Sequence, residues 1–339
     1  MSNYWQERME QNLIAVEDLE LEFEKTLTSL YNQAIKEMKS TLNTFYAEYA
    51  TDNKISLAEA KKVLTSKELS ELKKEVQDYI QLLNQYEATN KKEFLDKLET
   101  MASRVKVTRL QAIMLELEYE LTKLLASQED AQTSMYQQGY EQSYYNTVYN
   151  LQVNLGVGVD FTRPTKNLVV TALNEEYLGQ NFSDRIWKNK DLLLANLQLE
   201  LTKGFLMGKS NKQVAESLAK TLNSNYYSAE TLARTEMSNI CNQAALRAYS
   251  SQNVTEYEFL ATLDMKTSEV CRSLDGKIFK VSEAARGVNL PPLHPHCRST
   301  TIPVIDGNKN LTRLAKGQDG YYEVGNISYK EWLRNYVDK

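Results

Sequence analysis

The stretch FEKTLTSLYNQAIKEMKSTLNTFYAEY, Phe23–Tyr49, places Phe23, Leu27, Leu30, Ala34, Met38, Leu42, Phe45 and Tyr49 at steps of three or four residues. That spacing draws one apolar stripe along a helix. Working outward, Leu69, Leu72, Val76, Tyr79, Leu83 and Tyr86 repeat it, and so do Leu110, Met114, Leu117, Leu121 and Leu124. No glycine or proline occurs in residues 1–138, so nothing in the covalent chain breaks long helices there. Asp52-Asn53 and Thr89-Asn90 are the expected turns. The stripes either close on one another as a bundle or form an elongated arm that docks on a partner.

Residues 136–161 are rich in tyrosine: Tyr136, Tyr140, Tyr144, Tyr145 and Tyr149. Such side chains suit interfaces, because the ring buries while the hydroxyl stays wet, and they also suit plain helix packing. Gly156-Val-Gly158 is expected to break the helix, and Arg163-Pro164 marks a boundary. Beyond it the spacing predicts a helix capped by Ser183 and running through Ile186, Leu193, Leu197 and Leu201 to Phe205, ended by Gly208. A second, capped by Ser210 or Asn211, carries Val214, Leu218 and Leu222, and a third opens at Ser228 and runs to about Tyr249. The period then changes. Tyr257, Phe259, Ala261 and Leu263 alternate as in a strand, and Lys277–Val281 reads as a second strand after the Asp275-Gly276 turn. Trp332 and Tyr336 stand at helical spacing in the tail.

The expected fold class is α+β and mostly helical, a long N-terminal helical arm or bundle followed by a small C-terminal α+β module. The expected division is a long helical region at 1–135, a tyrosine-rich helical region at 136–227, a compact α+β module at 228–306 and a tail at 307–339.

Net charge is −5 over 339 residues, which gives no general attraction to nucleic acid; a DNA contact would need a local patch. The first residues lack the basic flank and apolar core of a secretory signal, and no run of about 18 apolar residues predicts a membrane span. Three cysteines in a chain of this size make no disulfide framework, which fits synthesis in a reducing cytoplasm.

Both histidines of the chain lie in Pro291-Pro-Leu-His-Pro-His-Cys-Arg298. His294 and Cys297 are three apart, and Cys271 lies upstream. Imidazole nitrogen and thiolate sulfur are the ligands zinc prefers, and the prolines lower the entropy of holding such a loop. One reading is therefore a structural zinc on Cys271, His294 and Cys297, with His296 or Asp264 as the fourth ligand. The other is that His294 bonds a backbone carbonyl and the cysteines act as small buried hydrophobes. A nucleophilic Cys297 served by His296 would make a small Cys/His-dependent enzyme, but adjacent side chains in a proline-rich loop rarely face each other. Arg234 on its helix reads as a structural brace. No phosphate-cradling glycine loop, GxSxG or HExxH is present.

Taken in order, Ala233-Arg234-Thr235-Glu236, Asn239, Asn242-Gln-Ala-Ala245, Thr262-Leu-Asp264, Cys271-Arg-Ser-Leu-Asp275-Gly276 and Pro291-Pro292-Leu-His-Pro-His-Cys-Arg298 resemble the C-terminal module of tailed-phage minor head proteins, the family of the phage Mu F protein and its siphophage relatives. Arg185–Asp191, Gly204, Gly208 and Leu232 extend the likeness, which is strong over residues 180–305 and weaker over 130–180. The first 130 residues match only in being helical. The resemblance implies a virion protein, made in the host cytoplasm and present in few copies inside the head near the portal vertex. Its partners would be portal protein, major capsid or scaffolding protein, and phage DNA during packaging or ejection. It assigns structural roles to Arg234, Thr235, Glu236, Asp264, Asp275, Gly276, Pro292 and Arg298. Relatives often carry two further cysteines; here those positions are Thr267 or Ser268, and Ser299, so two candidate ligands are missing. In some relatives the module precedes a toxin domain, whereas about 40 residues follow Arg298 here, too few for one.

Overall fold

The computed structural model describes residues 4–86, 91–155, 166–176, 180–305, 312–317, 320–325 and 327–337. The helices are α1 (Tyr4–Tyr49), α2 (Leu57–Ala60), α3 (Ser66–Leu83), α4 (Lys92–Ser103), α5 (Arg109–Leu155), α6 (Lys166–Leu173), α7 (Phe182–Leu206), α8 (Asn211–Ser251), α9 (Glu269–Leu274) and α10 (Tyr329–Trp332). The strands are β1 (Glu256–Leu260), β2 (Ile278–Lys280), β3 (Thr300–Pro303), β4 (Thr312–Gly317) and β5 (Gly320–Gly325). The α+β, mostly helical class is as the periodicity predicts. Among the described residues no helix is long and apolar enough to cross a membrane. The chain divides into two compact units. One comprises residues 23–133 and 180–230, the other 1–22, 134–179 and 231–339.

The first of these units is helical, and the apolar stripes meet inside it. Leu27, Met38 and Leu42 of α1 are buried, and Phe45 stacks on Phe205 of α7 with ring centroids 5.9 Å apart. The α3 stripe packs with Phe94, Leu98 and Met101 of α4 and with Leu115 and Tyr119 of α5. Asp52 and Asn53 both adopt positive φ, 51° and 58°, and Thr51 and Lys54 exchange backbone bonds of 3.0 Å, so the turn expected at these residues is present and is of type I′. Gly204 lets α7 approach α8, since a Cβ there would stand 2.5 Å from Val214 Cγ2. Charge is buried as well. Glu118 of α5 pairs with Lys190 of α7 at 3.3 Å and with Lys97, and both Glu118 and Lys190 are almost wholly covered. Glu129 accepts Ser183 Oγ at 2.7 Å and Trp187 Nε1 at 2.5 Å. These bonds fix the register of α7 on α5.

Two expected helix starts are corrected. Asn181, not Ser183, caps α7: its side chain accepts the Asp184 N–H at 2.8 Å, and Asp184 accepts the Asn181 N–H at 3.3 Å. Ser183 is instead spent on Glu129. The second correction is at Ser228, where no helix begins. Residues Asn211–Ser251 form one helix, because no glycine or proline interrupts them and Ser228 alone does not stop it. Ser210 caps that helix, exchanging bonds with Gln213. Gly208, at φ 58°, follows α7 in the left-handed conformation of a helix stop. Thr89-Asn90, Gly156–Gly158 and Arg163-Pro164 lie outside the described residues.

The second unit holds the sheet. Order is β2-β1-β3, antiparallel throughout, with Tyr257 opposite Phe279 and Pro303, and Phe259 opposite Thr301. Tyr257, Phe259, Ala261 and Leu263 are all buried, as their alternation predicts. Tyr249 of α8 donates to the Thr301 carbonyl at 2.9 Å, tying helix to sheet. Tyr136, Tyr140 and Tyr144 are buried in helix packing, whereas Tyr149 is exposed. In the described parts of the tail β4 and β5 pair antiparallel, and Ala315, Val324, Tyr329 and Trp332 pack on Leu263.

Candidate metal centre

Cys271 is the third residue of α9, whose N-cap Ser268 accepts the Cys271 N–H at 3.3 Å. That cap, a good start signal lying three residues before the cysteine, went unread in the sequence. Cys297 closes a turn in which its N–H donates to the His294 carbonyl at 3.2 Å, with Pro295 second and His296 third at φ 57°. Proline in second place and positive φ in third are the pattern of a type II turn. The turn turns His294 and Cys297 the same way, toward α9. His294 Nε2 lies 3.3 Å from Cys271 Sγ, and the two sulfurs are 3.7 Å apart. The three ligand atoms all lie within 4.8 Å of one another, and both cysteines are at most 3% exposed.

The bond of His294 to a backbone carbonyl is visible. Its Nδ1 lies 2.8 Å from the Pro295 carbonyl. A carbonyl only accepts, so Nδ1 donates to it, which leaves Nε2 facing the Cys271 sulfur. Between the thiols, the hydrogen bond from Cys271 holds Cys297 down at about 5, helped by the Leu293 and Ser299 backbone and by His294, while the same bond and burial push Cys271 up.

The two residues named as a fourth ligand stand apart from this group. His296 turns to α8, its Nε2 2.9 Å from Thr231 Oγ1 and its N–H donating to Thr235 Oγ1 at 3.1 Å. Cys297 therefore has no base in His296. The Asp264 carboxylate takes two bonds from Arg298, one of them 2.9 Å, and one from Thr267 Oγ1 at 3.0 Å. Burial alone would raise the Asp264 carboxyl; Arg298, Thr267 and the Lys266 N–H outweigh it and hold it below the usual carboxylate range.

The other motif residues each have a visible bond. Asp275 accepts the Ala261 N–H at 2.9 Å and the Tyr329 N–H at 2.8 Å, joining β1 to α10. Gly276, at φ 74°, donates its N–H to the Phe259 carbonyl at 2.9 Å. Pro292 is buried and follows a cis peptide bond. Thr235 donates to the Thr231 carbonyl at 2.7 Å, Glu236 accepts Asn239 Nδ2 at 3.2 Å, and Arg234 lies 4.0 Å from Glu20 of α1. Tyr329, in the tail, carried no sequence signal, yet its hydroxyl donates to the Asp264 carbonyl at 2.7 Å.

Comparison with known proteins bears on the same segment. Residues 195–302 match the family model described as Phage Mu protein F like protein. Over 194 residues the chain is 25% identical to Minor head protein GP7 of Bacillus phage SPP1, covering 52% of this chain and 62% of that protein. Over 186 residues it is 25% identical to the NAD(+)–arginine ADP-ribosyltransferase EFV of Enterococcus faecalis (strain ATCC 700802 / V583), covering 50% of this chain and 37% of the relative. The chain thus spans less than two thirds of either relative's length. No solved structure matches at a significant level. Residues 195–302, which include α8, the sheet and the Cys271–His294–Cys297 group, are thus the part of the chain that is similar to the phage Mu F-like proteins.

Proposed function

We propose that this protein is a minor head protein of a tailed phage that joins the head at the portal vertex during assembly and resides in the virion. The observation that carries the proposal is the family match over 195–302 together with the likeness to a minor head protein. The structure is consistent with it, because the motif residues serve to hold a module together: Asp264, Asp275, Thr235 and Arg298 are all engaged in bonds between elements. In this reading the module of residues 231–305 is the anchoring part, and the helical stretches supply surface for portal, capsid or scaffolding protein. A net charge of −5 argues that DNA, whether packaged or ejected, is met through confinement rather than tight binding. The test is a pull-down of the purified chain with portal protein, paired with mass spectrometry of virions before and after DNA ejection. Retention by portal and presence in virions are expected. Failure in both would sink the proposal, and loss from emptied virions would add a role in ejection.

A catalytic reading has one observation in its favour, the likeness to an arginine ADP-ribosyltransferase. The thiols of the Cys/His group are at most 3% exposed, so no substrate carbon can reach them without opening the module. Transfer of ADP-ribose from NAD to an arginine substrate by the purified chain would establish the catalytic reading, and its absence is expected.

A further inference from the structure

We propose that Cys271, His294 and Cys297 bind one zinc ion as a three-residue Cys2His site, with no fourth histidine, cysteine or carboxylate ligand among the described residues, and that the ion fastens the loop Pro291–Arg298 to α9. The inference goes beyond the head-protein reading and stands or falls separately from it.

Three observations carry it. The first is spacing. A tetrahedral ion with Zn–S bonds of about 2.3 Å and Zn–N bonds of about 2.0 Å sets its sulfurs roughly 3.75 Å apart and its sulfur and nitrogen roughly 3.5 Å apart. The two sulfurs stand 3.7 Å apart, and Cys271 Sγ stands 3.3 Å from His294 Nε2. The two cysteines are free, so both sulfurs are available as ligands. The second is the orientation of the histidine. Its Nδ1 donates to the Pro295 carbonyl at 2.8 Å, the outer bond that metal-binding histidines use to aim Nε2. The third is the scaffold. Ser268 caps α9 at Cys271, and the turn at His294–Cys297 is held with His296 at φ 57°, a conformation a non-glycine residue adopts at a cost. The neighbouring donors are committed elsewhere, His296 to Thr231 and Asp264 to Arg298. Two soft thiolates and an imidazole select zinc over magnesium or calcium, which take oxygen ligands.

The full-length chain, purified without chelator, should carry one zinc per chain by elemental mass spectrometry. A chelator should remove it and lower the melting temperature by several degrees. Cobalt added to the stripped protein should give a thiolate-to-cobalt charge-transfer band. His294→Ala should weaken zinc binding by more than about ten-fold, whereas His294→Cys, which restores a soft ligand, should keep it. A purely structural histidine would show no such rescue. Absence of both zinc and the cobalt band would overturn the proposal. So would a Cys271–Cys297 disulfide in freshly purified protein, or zinc binding unchanged in Cys297→Ser. Should the variants fail to fold, the cobalt titration of the natural chain decides the matter alone.

Discussion

In the unit of residues 23–133 and 180–230, Leu27, Leu42, Leu197 and Leu201 are fully buried along helix faces, each doing much the same work as the next. In the module around the sheet, Asp264, Asp275, Gly276 and Cys297 each make a bond that no neighbour can replace. The helical unit is held by a repeated pattern, and its few irreplaceable residues are buried charges that the pattern does not mark. The module is held by single residues in a fixed order, and for that reason its sequence carries identity. One carboxyl of each also makes a contrast in pH response, since Glu116 is pushed up in the helical unit and Asp264 is held down in the module.

The largest expected effect tests the buried charge of the helical unit. Glu118→Ala leaves Lys190 covered and without this partner, and should cost about 3–5 kcal/mol in chemical denaturation. Replacing both, as Glu118→Leu with Lys190→Met, should recover most of it; a double variant as weak as the single one would show that the pair does more than satisfy itself. Next comes the module. Asp264→Ala removes the acceptor of Arg298, which is partly exposed, and should cost about 2–3 kcal/mol, read by the same measurement. An unchanged midpoint would mean that Asp264 is as replaceable as a residue on a helix face.

Gly204→Ala should cost about 1–3 kcal/mol, because the stiff Val214 side chain meets the new methyl. Melting should show no loss only if α7 can move off α8. The pH comparison is finer. Burial, then Glu75, Glu48 and Glu120, push Glu116 up from 4.5 to about 8. The folded state therefore binds this proton more tightly than the unfolded chain, and its contribution is full below 4.5 and is lost as pH rises toward about 8. Asp264 runs the other way: its contribution is present above the ordinary carboxylate range and is lost as pH falls through its lowered value. Glu116→Gln should flatten the decline in stability between pH 4.5 and about 8, and an equally steep decline in that variant would refute the assignment. The smallest effect belongs to Leu199→Ala on the exposed side of α7, within about 0.5 kcal/mol by thermal melting, against about 2–5 kcal/mol for Leu197→Ala two positions away.

Much of this was legible. Stripes at steps of three and four gave the helices, alternation at Tyr257–Leu263 gave β1, and the metal candidates Cys271, His294 and Cys297 come together as proposed from ligand chemistry. Other features were not. Four residues ending in proline, Thr300–Pro303, are too short to show a period, so β3 emerges only through its pairing with β1. Asn181 and Ser183 are both good caps, and the choice between them rests on Glu129, more than fifty residues earlier in the chain. His296 was a reasonable ligand on paper until its positive φ turned the ring toward Thr231.

By itself the sequence determined local periodicity, the mostly helical class, and an order of motifs that resembles the Mu F-like family, because each of these depends on residues a few positions apart. Only the tertiary structure decided which charges are buried together, such as Glu118 with Lys190, how the tail packs on Leu263, and that the Pro291–Arg298 loop brings His294 and Cys297 to Cys271 of α9 while its second histidine turns away to Thr231. Those outcomes turn on distances between atoms far apart along the chain, which pairing and packing set and which spacing along the chain cannot encode.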